Sequence, residues 1–183
     1  MKSKILVMVG FGTAILLGCV STTAVEAPAL VFSDIPFEVA VTAEATDTLS
    51  GNLSTDGYLF ILVPSAWSVD SVFIDGFGYI GPADLMYWSG LLDYYYPPDS
   101  GYAWLAAQTS YDWSSYIGEV GNSIVVIRPG NEPGTFTMAF LAAIYDGMSD
   151  LHWDGDPCSC IVEVTPLLLE QETWGHIKSE LGQ

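Results

Sequence analysis

Residues 135–145 read TFTMAFLAAIY, and this stretch decides the fold. Every second position carries an apolar side chain: Phe136, Met138, Phe140, Ala142 and Ile144. Side chains of a β-strand point alternately to its two faces, so this period of two predicts a strand with one face in a core. It is the longest strand that the sequence predicts, and we expect it to be central to a β-sheet protein.

Further strands are predicted on both sides of this stretch, each ended by turn residues. Residues 58–63, YLFILV, are apolar at every position, which is typical of a central strand covered on both faces. The other predicted strands span residues 37–45, 69–75, 102–107, 122–128 and 159–165. About seven or eight strands with little helix predict an all-β, antiparallel β-sandwich. We assign this domain to residues 28–166.

The beginning of the chain has the layout of a bacterial export signal, which we assign to residues 1–27. Lys2 and Lys4 precede an uncharged apolar run at residues 5–17, where we expect a signal helix. This run is too short to cross a bilayer comfortably. The signal predicts that everything after it is exported, to the cell envelope or to the extracellular medium.

Two processing routes remain open at the end of the signal. Residues 16–19, LLGC, resemble a lipobox, in which Cys19 would become the lipidated first residue of a tethered protein. Ordinary cleavage after Ala24 or Ala27 would instead release a freely secreted chain. A lipid anchor is the one membrane attachment that the sequence predicts.

The composition is strongly acidic, with 22 Asp and Glu against 4 Lys and Arg and a formal net charge of −18. Removal of the signal would take away Lys2 and Lys4 and leave Arg128 and Lys178 as the basic residues. Such a surface repels nucleic acids and anionic lipids, so neither is a predicted partner.

Three cysteines are present, and lipidation or removal would account for Cys19. Cys158 and Cys160 are separated by one residue, so they would point to the same face of an extended strand. A disulfide between them needs a non-extended backbone. An oxidising export compartment makes such a bridge possible, and a structural pair of thiols is the alternative.

The tail, residues 167–183, is predicted to contain a short helix. Thr173 can cap its N-terminus. Trp174, Ile177 and Leu181 would then share one face of the helix.

A resemblance to a known class of domain appears at residues 62–72, LVPSAWSVDSV, where a strand ending in Val-Pro is followed by Trp67 and a second strand. Residues 134–136, GTF, and residues 173–178, TWGHIK, look similar to elements of the same class. The pattern over residues 30–178 resembles immunoglobulin-like β-sandwich domains of secreted bacterial surface proteins, most of them uncharacterised. The resemblance implies a fold and a location, and it transfers no catalytic residue.

No catalytic motif stands out in the sequence. It contains neither a G-x-S-x-G nucleophile elbow nor an H-E-x-x-H zinc motif. His152 with the two late cysteines matches no usual zinc spacing. We therefore predict a protein that is not an enzyme and has no catalytic residues.

The acidic loop at residues 146–156 is a candidate calcium site. It places four carboxylates close together: Asp146, Asp150, Asp154 and Asp156. Hard oxygen ligands on a loop suit calcium. The alternative is an ordinary acidic turn, and no other cofactor is predicted.

Aromatic residues are dense in residues 87–116, and four of them are candidate ligand-binding residues: Trp88, Tyr95, Trp104 and Trp113. Exposed rings beside aspartates could stack on sugar faces, as in carbohydrate-binding modules. The alternative is that these rings form a small second core.

We therefore predict a non-enzymatic exported module, at the cell surface or in the periplasm, with an interaction or structural role. Its partner would be a protein or a glycan at the cell surface. A carbohydrate-binding module that uses residues 87–116 is the alternative.

Overall fold

The fold is described from a computed structural model, which describes residues 20–46, 56–76, 78–87, 91–109, 118–145 and 151–167. These ranges contain the following strands: β1 Val20–Glu26, β2 Leu30–Phe32, β3 Phe37–Ala45, β4 Asp56–Pro64, β5 Ser68–Ile74, β6 Gly78–Ile80, β7 Met86–Tyr87, β8 Tyr102–Thr109, β9 Val120–Arg128, β10 Gly134–Tyr145, β11 Leu151–His152 and β12 Cys158–Thr165. A 3₁₀ turn at Pro82–Asp84 and one short helix, α1 at Leu91–Tyr95, complete the described elements.

The strands form two sheets. Sheet A has five strands in the order β1-β3-β9-β5-β6. Sheet B has seven strands, in the order β2-β12-β10-β4-β8-β7, and β11 also pairs with β10. The predicted β-sandwich is confirmed. Among the described strands, every pairing is antiparallel except that of β2 with β12, which is parallel, and an isolated bridge between Ser21 and Asp154 is also parallel.

The main core lies between the sheets. Alternate residues of β3, β4, β9 and β10 point into it, among them the fully buried Val39, Ile61, Val125 and Phe140. At one end Phe37 and Trp67 meet edge to face, with ring centroids 6.2 Å apart. The predicted apolar face of residues 135–145 is confirmed, since Met138, Phe140, Ala142 and Ile144 are all buried.

Strand β4 is covered on both faces, as its continuous apolar run predicts. Leu59, Ile61 and Val63 face the main core. Tyr58 and Phe60 point to the outer face of sheet B, where a second buried cluster covers them. Sheet B is therefore the middle layer of this part of the molecule.

Residues 20–26, which lie within the predicted export signal, form strand β1 in this structure. β1 pairs with β3 in sheet A and also contacts β10 of sheet B. There Thr22 Oγ1 accepts a hydrogen bond of 2.8 Å from the backbone N–H of Ala142. Val20 packs with Ala142 and Ile144.

The predicted signal helix and the predicted C-terminal helix both lie outside the described residues. Within the ranges that are described, no helix is long and apolar enough to cross a membrane.

Candidate functional site

The structure places the four aromatic residues that were predicted to bind a ligand in different environments. Trp88 and Trp113 lie outside the described residues. Trp104 is 2% exposed, so it is a core residue and its ring is not available at the surface. Tyr95 is 56% exposed and remains available at the surface.

Trp104 belongs to a second core on the outer face of sheet B, as the alternative interpretation of the aromatic segment predicted. Its members are Tyr58, Phe60, Leu92, Trp104, Ala106, Ala139, Leu141, Ala143 and Leu151. The helix α1 lies over this cluster and inserts Leu92, which is fully buried. Trp104 Nε1 donates a hydrogen bond of 3.0 Å to the carbonyl of Tyr96, which fixes the end of α1 to the sheet.

An aromatic platform sits on top of this second core and consists of Tyr94, Tyr95, Tyr96 and Trp153. Tyr94 is 81% exposed and meets Tyr95 edge to face at 5.3 Å between ring centroids. Tyr95 meets Trp153 in the same way at 5.6 Å. Tyr96 packs against the other side of Trp153 at 6.3 Å. The outermost rings are therefore exposed while the rings behind them are held by packing.

The loop that carries Trp153 is fixed by several contacts. On one side, β11 pairs with β10. On another, the backbone N–H of Asp154 donates to the carbonyl of Val20 at 3.0 Å. The Tyr96 hydroxyl lies 3.2 Å from Asp156 Oδ1 and 3.4 Å from the carbonyl of Gly155, and it can donate to either. The platform thus joins two segments that are far apart in sequence.

The carboxylates around the platform are exposed or half-buried. Asp93 is half-buried on α1, and Asp154 and Asp156 are exposed on the loop. Arg128, the one Lys or Arg among the described residues, lies on sheet A, where it binds Asp70 Oδ2 at 2.6 Å. The surface around the platform is therefore acidic and unsuited to an anionic ligand.

The predicted calcium site is only partly within the described residues. Asp146 and Asp150 lie outside them, and the exposed Asp154 and Asp156 lie in the loop beside the platform. Among the residues that the structure describes, no group of three or more His, Cys, Asp or Glu side chains could hold a metal. Calcium binding by the full set of four aspartates stays a prediction.

Both late cysteines are free thiols in the extended strand β12, as in the alternative to a disulfide. The Cys158 thiol lies 3.0 Å from the carbonyl of Thr22, to which it donates. Cys160 packs against the main core. Burial raises the pKa of the Cys160 thiol to about 11. The predicted lipidation residue, Cys19, lies outside the described residues.

A cavity of about 420 Å³ opens between the sheets at the end where β1 begins. Small side chains such as Ala43, Ala45 and Ala142 contribute to its lining. Several of the described ranges end among its lining residues, so we assign no ligand to it.

Sequence reasoning missed Tyr94 and Trp153 as site residues. It assigned the aromatic segment and the acidic loop to separate candidate sites, since no local pattern links residues 94–96 to residue 153. The pairing of β11 with β10 is what brings the loop back over the sheet. An aromatic residue inside an otherwise acidic loop was the one available signal.

Comparison with solved structures supports the fold. AvmM, which catalyses macrocyclization in alchivemycin A biosynthesis, is 11% identical with a TM-score of 0.51, over 81% of this chain and 87% of that chain. A cohesin module from a family 33 glycoside hydrolase of Clostridium perfringens is 14% identical with a TM-score of 0.44, over 82% of this chain and 98% of that chain. The similarity to AvmM, at this low identity, shows the fold alone. The sequence matches no protein-family model and no curated protein.

Proposed function

We propose that this chain is an exported, non-enzymatic β-sandwich module of immunoglobulin-like type that binds a partner protein through the aromatic platform. Tyr94 and Tyr95 are its main contacts. The observation that carries the proposal is the exposure of these two rings, 81% and 56%, on a base of buried side chains. Exposed neighbouring aromatic side chains mark interaction surfaces.

The packing of the platform favours tight contact with a protein. Tyrosine and tryptophan are enriched among the residues that dominate binding energy at protein interfaces. Tyr95 is held against Trp153, and Trp153 against Tyr96, so their rings lose little conformational freedom when a partner binds. The acidic surroundings favour a partner whose contact surface is neutral or basic.

A glycan is the second candidate ligand. Asp93, Asp154 and Asp156 can accept hydrogen bonds from sugar hydroxyls, and the exposed face of Tyr94 can stack on one sugar ring. The rings of Tyr94 and Tyr95 stand at 89° to each other, and those of Tyr95 and Trp153 at 76°. Because these neighbouring rings are not coplanar, a flat polysaccharide surface would contact them poorly, so the arrangement favours a protein.

Three immobilised proteins test this proposal: the wild type, a Tyr94→Ala/Tyr95→Ala double variant, and Tyr79→Ala as a matched control. Tyr79 is 69% exposed but lies on β6 of sheet A, away from the platform. A partner from the extracellular fraction should bind the wild type and the control, and bind the double variant about 30-fold or more weakly.

Two results would contradict the protein proposal. Equal binding by the double variant would place the interaction elsewhere. Binding to a glycan array that the double variant loses, without a protein partner, would select the second candidate.

For location, we propose export with cleavage before Cys19 and lipidation of that cysteine. Strand β1 supports this route, because cleavage after Ala24 or Ala27 would remove most or all of Val20–Glu26. It would also remove Thr22, which satisfies the backbone N–H of Ala142, and Val20, which is 1% exposed. Leaving that buried N–H without a partner and opening the core would destabilise the sandwich.

Mass spectrometry of the mature N-terminus tests this processing route. We expect a lipidated Cys19 as the first residue, followed by an intact β1. A mature chain that starts at Val25 or Pro28 would refute it.

A further inference from the structure

The outer face of sheet B carries an apolar patch beside its β2 edge. The patch consists of Leu30, Phe32, Ile161 and Leu167, which are 52%, 44%, 63% and 46% exposed. Leu30 pairs with Glu163 and Phe32 with Thr165 in the parallel register of β2 and β12. Their sequence neighbours Val31, Val162 and Val164 are buried in the main core. The side chains of Leu30, Phe32 and Ile161 therefore share the opposite, outer face.

The described chain ends beside this patch. The backbone N–H of Leu167 donates to Ser33 Oγ at 3.4 Å, and the N–H of Ser33 donates to the carbonyl of Thr165 at 3.0 Å. These bonds hold the chain next to the end of β2. Residues 168–183 therefore continue from the border of the patch.

The tail has the apolar side chains and the length to cover the patch. A helix over residues 174–181 would be about 12 Å long, with Trp174, Ile177 and Leu181 on one face. Residues 161–165 of β12 span about 13 Å. The linker at residues 168–172 can reach about 17 Å when extended, which is enough to turn the helix back over the sheet.

Charge favours this segment over a second copy of the chain. Residues 173–181 contain Lys178 and Glu180, so this segment has no formal net charge, and Glu163 lies beside Leu30 on the patch. Two chains of net charge −18 would repel each other at the same surface. An intramolecular segment without net charge avoids that repulsion.

We propose that residues 173–181 form an amphipathic helix that packs Trp174, Ile177 and Leu181 on the apolar patch. The helix covers the part of sheet B that α1 leaves open. This inference is independent of the proposed partner, because the platform lies on the other part of the same face.

Amide hydrogen exchange of the tail in the purified chain tests the proposal. A helix this short is marginal in isolation, so protection of its amides requires packing. In the wild type, exchange over residues 174–181 should be slowed by about tenfold or more relative to an unstructured peptide. Ile161→Lys should abolish this protection. Tyr79→Lys, a change of the same kind on sheet A, should leave it intact.

Other outcomes would overturn the proposal. Exchange at the free-peptide rate in the wild type would do so, as would equal protection in Ile161→Lys. A dimer by light scattering that Ile161→Lys converts to a monomer, with an unprotected tail, would assign the patch to a second copy. Trp174→Ala is the reciprocal variant, and it should release the tail while leaving every patch residue unchanged.

Discussion

The two halves of the outer face of sheet B are built differently, although they belong to one sheet. The covered half, on β4, β8 and the end of β10, carries Tyr58, Phe60, Trp104 and Leu141, all of them buried. The open half, on β2, β12 and the start of β10, carries exposed polar residues such as Thr137 and Glu163 between the apolar side chains of the patch.

The strand sequences explain this difference. β4 is apolar at nearly every position and must be covered on both sides, whereas β12 alternates between the buried Val162 and Val164 and the exposed Ile161 and Glu163. The helix α1 and the loop of Trp153 supply the cover where it is needed. The aromatic platform is the outer surface of that cover, so the candidate site depends on the packing below it.

The largest expected effect on stability comes from a substitution in the core of the covered half. Trp104→Ala removes a side chain that is 2% exposed and also the hydrogen bond from its Nε1 to the carbonyl of Tyr96. We expect the free energy of unfolding in urea to fall by about 3–5 kcal/mol. The variant should also weaken partner binding, because the end of α1 loses its attachment.

Ile161→Ala is the control for the open half. Its side chain is 63% exposed, and it should lower the free energy of unfolding by about 1 kcal/mol or less, including any lost contact with the tail. Equal losses for the two variants would mean that the halves do not differ in packing, and the comparison would fail.

Much of the fold could be predicted because the patterns are local. The apolar run in β4 identifies a strand and both of its buried faces. The period of two in β10 identifies the strand and the face in the main core, but not its second buried face at Ala139, Leu141 and Ala143. The early part of β1 could not be assigned in this way, since the small and β-branched residues that follow an export signal also suit a strand. Its place depends on the long-range bond between Thr22 and Ala142.

The candidate site was predictable only in its parts. The density of tyrosines indicated either a ligand site or a second core. The structure places Trp104 in a second core and leaves Tyr95 exposed above it. Which tyrosine faces solvent depends on how α1 lies on the sheet. Trp153 joins these tyrosines because β11 pairs with β10, and no spacing in the sequence encodes that pairing.

The smallest expected effect concerns the inner side of the open half, at Cys160. This thiol packs against the main core, and burial raises its pKa from 9.0 to about 11. Between these values the unfolded chain has lost the thiol proton and the folded chain has kept it. The contribution of Cys160 to stability is therefore present below about pH 9 and lost as the pH rises towards about 11.

Urea unfolding at about pH 8 and about pH 10.5 measures this loss. Wild type should lose more stability between the two pH values than Cys160→Ala, in which the other titrating groups are unchanged. The difference should be small, because the thiol is only half-buried. An equal loss in both proteins would mean that water reaches the inner face of β12. In that case the contrast between the two halves would extend to the inner face of the sheet.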